Sequence, residues 1–157
     1  MKNTLIISIV AALALVVASA AVGSSAGSHS ALVIRHQLRG CHAWAVNGGV
    51  FKPSQTVALR RGGWISVTNN DVMPHKLIET SGPALTITRL SPGMAGKGMG
   101  IKGTFAPAML ARMGAAAKLT FAKAGVYRFT TKPGEDYMAG MKTIGADNVL
   151  KLTVVVH

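Results

Sequence analysis

Hydrophobic and polar positions along this chain follow two patterns. Residues from Leu5 to about Val22 form one predominantly apolar run. From Ala31 onward, short apolar or alternating runs are separated by Gly, Pro and Asn, the spacing of a β-sandwich. The runs predict strands at Ala31–Leu38, Cys41–Val46, Thr56–Leu59, Trp64–Thr68, His75–Thr80, Lys118–Phe121, Tyr127–Thr131 and Leu150–Val156. Asn47-Gly48-Gly49, Arg60-Arg61-Gly62-Gly63 and Ala124-Gly125 are the turn signals between them. Ser91 to Ala117, rich in Gly, Ala and Met, breaks the pattern and reads as a long loop, with a helical turn over Ala106–Arg112.

The opening run changes the organisation. Lys2 followed by a long apolar stretch and then Ala18-Ser19-Ala20 is the layout of a secretory signal peptide, cleaved after Ala20 or Ala26. The run is also close to the roughly 20 residues that span a bilayer, so an uncleaved N-terminal anchor is the competing reading. The expected domains are a leader over 1–26 and a single domain over 27–157, periplasmic or secreted.

Charge and cysteine content narrow the class. The chain of 157 residues has 17 Lys and Arg against 5 Asp and Glu, a formal net charge of +12. The cations are scattered and lack the aromatic stacking surface of a nucleic-acid binder. In an exported protein their partners would be an anionic envelope surface or an acidic redox protein. Cys41 is the single cysteine, so it cannot form an internal disulfide; it is free, metal-bound, paired with another molecule, or a small buried apolar residue. No paired acid and base, nucleophile–base pair or nucleotide loop is present, and no enzyme activity is expected.

Three segments resemble the cupredoxin family. The first is the alternating Val57 to Asn70, ending Trp64-Ile65-Ser66-Val67-Thr68-Asn69-Asn70. The second is Asp71-Val72-Met73-Pro74-His75, a histidine shortly after that strand. The third is Gly125-Val126-Tyr127-Arg128-Phe129-Thr130-Thr131, followed by Met138 and Met141 and a terminal strand. The resemblance implies an all-β, Greek-key, cupredoxin-like sandwich with a metal site in which His75 stands at the first histidine position. It departs from the family at Thr131, which stands where the ligand cysteine belongs, and no histidine stands in the loop that follows it. A blue-copper centre needs that thiolate with two imidazoles.

The candidate ligands are therefore His75 with His42 or Cys41, completed by Met138 or Met141, with Glu135 or Asp136 as an oxygen donor to Cu(II). Thiolate, thioether and imidazole together favour copper, as Cu(I) or Cu(II). Cys41 and His42 are adjacent, and in a regular strand only one of them points inward. Trp44 reads as core. Met94, Met99, Met109 and Met113 are either extra thioethers or gap-fillers beside Gly and Ala. His29, His36 and His157 have no partner in sequence. The expected function is an exported copper carrier or resistance protein. Electron transfer at a rearranged copper centre and a metal-free binding module are the alternatives.

Overall fold

The computed structural model describes residues 26–37, 42–94, 104–131 and 149–157. These form ten strands: β1 Gly27–His36, β2 His42–Val46, β3 Ser54–Asn69, β4 His75–Lys76, β5 Ile78–Ser81, β6 Thr86–Pro92, β7 Met109–Leu110, β8 Ala115–Thr120, β9 Gly125–Thr131 and β10 Leu150–Val156. No helix occurs among the described residues, and none of them forms a helix long and apolar enough to cross a membrane.

The long strand β3 serves two layers. Its first part, Ser54 to Leu59, pairs in parallel with β10, which continues antiparallel to β9 and β5. Its second part, Trp64 to Asn69, pairs in parallel with β1 and antiparallel with β8. β2 extends that layer beyond β1, and β6 extends it beyond β8. Sequence-distant strands thus become neighbours, as in the expected cupredoxin-like sandwich.

The corner between the two parts falls at Arg60-Arg61-Gly62-Gly63, expected from sequence as a turn between separate strands. The ladder instead runs through it as one strand. Glycine is required there for two reasons. Gly62 has φ of 80°, a left-handed conformation that L-residues avoid. At Gly63 a Cβ would lie 2.7 Å from the Arg60 carbonyl oxygen and 3.0 Å from that of Ser28.

Period-two alternation decides which side chains meet between the layers. Leu32 and Ile34 of β1, Val57, Leu59, Ile65 and Val67 of β3, Tyr127 and Phe129 of β9, and Leu150 to Val156 at every second position of β10 form one buried cluster. Trp44 belongs to it and is fully buried, as expected. Burial of this apolar area is the main force joining the layers. Phe121 meets Tyr127 edge-on at 4.8 Å between ring centroids, and the Tyr127 hydroxyl donates to the Lys123 carbonyl at 2.7 Å.

The long-loop expectation is corrected in part. Ser91 and Pro92 close strand β6, and Ala115 to Ala117 begin β8. β6 is a half-exposed edge strand whose Thr86-Ile87-Thr88 alternation is short and polar enough to pass unread. Ala106–Arg112 is not helical: a turn leads into β7, which pairs with β4. Met109 on β7 is buried, whereas Met94 is exposed. Met99 and the rest of 95–103 lie outside the described residues, as does the leader up to residue 25.

Candidate metal centre

The inward alternation turns polar at one end of the sandwich. On β1 the inward series Ser30, Leu32, Ile34 continues to His36. In β2, Trp44 lies opposite Ile34, and His42 lies opposite His36. On β3 the series Ile65, Val67 continues to the buried Asn69. On β9 Tyr127, Phe129 continues to the buried Thr131. The loop after β3 adds Asp71, and β4 adds His75.

Asn69 holds that loop in place. Its Nδ2 donates to the Met73 carbonyl at 2.8 Å and the Leu110 carbonyl at 3.0 Å. Its Oδ1 accepts from the Asp71 amide at 2.9 Å. Asp71 Oδ1 then accepts from the Met73 amide at 3.0 Å. Asn and Asp side chains close turns in this way, and the result fixes the Asp71 carboxylate pointing inward, 1% exposed.

Three histidines gather on this carboxylate. His42 Nδ1 donates to Asp71 Oδ2 at 2.5 Å. His75 Nε2 lies 3.5 Å from the same oxygen, too far for a good hydrogen bond, and has no other partner. Its Nδ1 faces Thr131 Oγ1, also at 3.5 Å. The His42 and His75 rings meet edge-on at 5.1 Å, and His36 meets His42 edge-on at 5.3 Å. Donor atoms of His36, His42 and Asp71 all lie within 4.8 Å of one another.

Burial shapes the protonation of the cluster. Burial pushes the Asp71 carboxyl up, but the hydrogen bonds from His42 and the Met73 amide, together with the nearby His75 imidazole, outweigh it and hold the group well below the usual carboxylate range. Burial pushes the His75 imidazole down, helped by the neighbouring His42 charge and opposed by Asp71. His75 is thus a neutral imidazole at neutral pH, the form that binds metals. A fully buried nitrogen without a hydrogen-bond partner calls for an explanation, such as an ion or water at the site.

The structure brings His42 and His75 to a ring separation of 5.1 Å, with both facing Asp71 Oδ2. Cys41, Met138, Met141, Glu135 and Asp136 lie outside the described residues. Sequence reasoning missed two members. His36 has no partner in sequence, yet strand pairing sets it opposite His42. Asp71 enters the sequence reading only as part of a resemblance. Two signals point to them: His36 continues the inward parity of Leu32 and Ile34, and Asp71 precedes His75 by four residues.

The donors decide which metal chemistry fits. Beside His75, Thr131 offers a hydroxyl, whereas a blue-copper centre needs a thiolate there, so that ligand set does not fit the described residues. Two imidazoles and a carboxylate suit borderline divalent ions instead.

No family model matches the chain, and no curated protein matches it. Among solved structures it is similar to an oxidised point mutant of amicyanin at 16% identity and a TM-score of 0.36, covering 81% of this chain and 82% of that one. It is similar to a purple cupredoxin from Nitrosopumilus maritimus at 15% identity and a TM-score of 0.36, covering 80% and 98%. It is also similar to EhICP2, a cysteine protease inhibitor from Entamoeba histolytica, at 12% identity and a TM-score of 0.34, covering 82% and 97%. Likenesses this distant carry no functional inference. What the strand order defines is the fold, an all-β sandwich of the cupredoxin-like type.

Proposed function

We propose that this chain is an exported copper-binding protein, a carrier or resistance protein rather than an enzyme. Its ion would sit at the polar end of the sandwich. The observation that carries this reading is the convergence of His42 and His75 on one buried carboxylate, with His75 Nε2 left without a hydrogen bond. The leader-like opening run supports export. The net charge of +12 suits anionic envelope polymers or an acidic partner as surroundings.

The supporting experiment is equilibrium dialysis of the purified chain against copper, with metal analysis. One tightly held ion per chain is expected, with strong weakening in the His42→Ala/His75→Ala double variant. Absence of tight binding in the unaltered chain would reject the reading.

One observation favours a metal-free binding module instead. The His42–Asp71 hydrogen bond and the Asn69 network already satisfy most of the cluster. That reading predicts equal, weak copper uptake by the unaltered chain and the double variant. Electron transfer through a thiolate centre draws no support from the described residues, where Thr131 stands in the cysteine's place.

A further inference from the structure

We infer that His36, His42 and Asp71 form a divalent-cation site for borderline ions, Cu(II) and Zn(II), with His36 as the ligand open to solvent. The inference rests on the copper reading above and names the ligands and the ion class.

Three features carry it. First, the donor atoms are already grouped. They lie within 4.8 Å of one another, whereas donors about 2.0–2.1 Å from one ion are at most roughly 4 Å apart. A small side-chain adjustment closes the set, with the ion taking the place of the proton between His42 Nδ1 and Asp71 Oδ2 and that proton leaving Nδ1. Second, the three come from firmly placed positions. His36 and His42 are cross-strand partners at the end of the β1–β2 pair, and Asp71 is pinned through Asn69 and Met73. Third, His75 lies behind Asp71, fully buried, with its Nε2 facing Oδ2 and otherwise unpartnered. It packs against the same carboxylate oxygen that His42 meets and limits where that oxygen can move.

The chemistry of the set selects the ion. Imidazole and carboxylate suit Cu(II) and Zn(II), whereas Cu(I) prefers sulfur. No sulfur belongs to this trio. His36 is exposed while its two partners are buried, so the ion has a path from solvent on the His36 side.

The test uses the purified chain, stripped of metal with a chelator, and titrated separately with Cu(II) and Zn(II). Expected results are competition between the two ions, nitrogen hyperfine structure in the Cu(II) electron paramagnetic spectrum, and only a weak visible band. His36→Gln alters an exposed side chain and should keep the fold. It should weaken both ions at least about 10–100-fold, the loss that even supporting-contact changes produce. Asp71→Asn should do the same, with folding checked by circular dichroism. Cu(II) and Zn(II) held as tightly by His36→Gln as by the unaltered chain would overturn this site while leaving the copper reading intact. An intense thiolate band that disappears in Cys41→Ser would do likewise. Zn(II) binding lost in His36→Gln, with no copper uptake at all, would overturn the copper reading and leave the site standing.

Discussion

Asp71 Oδ2 and His42 Nδ1 lie 2.5 Å apart although 29 residues separate them in sequence, and both side chains are buried. A carboxylate in a low-dielectric interior is costly unless charged or hydrogen-bonding partners surround it. Among the described residues, the side chains that face the Asp71 carboxylate oxygen Oδ2 are the imidazoles of His42 and His75. The stability and the metal chemistry of this end of the sandwich are therefore linked.

Acidification should destabilise the protein in two stages. His75 has a folded pKa below its ordinary 6.5. Below 6.5 the unfolded chain takes up a proton that the folded chain resists, so stability falls as pH drops from that point. Asp71 is depressed below its ordinary 3.8. Its contribution is present above 3.8 and is lost only as pH falls further, through the folded value. Urea unfolding at a series of pH values would show the first stage between neutral pH and about 5. A His75→Asn variant should flatten that stage; an unchanged slope would assign it to other groups.

Asn69→Ala should cost about 2–4 kcal/mol, since a buried side chain loses three hydrogen bonds and leaves the Met73 and Leu110 carbonyls short of a donor. Chemical denaturation measures the loss. The same variant should lower metal affinity, because Asn69 fixes the Asp71 turn. A loss under about 1 kcal/mol would mean that the turn holds itself.

Thr131→Cys should create a coloured copper site. The Thr131 oxygen faces His75 Nδ1 at 3.5 Å, and a thiolate there would stand beside a neutral imidazole. Cu(II) loading of the variant should produce an intense visible thiolate band that the unaltered chain lacks. A colourless Cu(II) complex of the folded variant would show that the geometry between residues 75 and 131 is not that of a thiolate centre.

Gly63→Ala should destabilise by about 1–3 kcal/mol, because the added methyl meets backbone oxygens that cannot move aside. Thermal unfolding reads this directly. Gly48→Ala, at a turn with open space around it, should cost about 1–2 kcal/mol through its φ of 74° alone.

Most strands were legible because their signal is local. β10, with apolar residues at alternate positions, begins and ends where the alternation does, and β9 and the second part of β3 differ from expectation by a residue or two. β6 and β7 were not legible. The alternation of β6 is half-exposed and polar, β7 is only two residues long, and β8 and β4 offer them hydrogen-bonding edges.

By itself the sequence determined the strand-rich character of the domain and the placing of a histidine just after the Asn-Asn-Asp turn. Those features depend on neighbours within a few residues. Only the tertiary structure decided that His36, His42, Asp71 and His75 converge. Their meeting depends on strand register and on a loop pinned by Asn69. Such long-range contacts arise from packing the layers, and no local spacing encodes them.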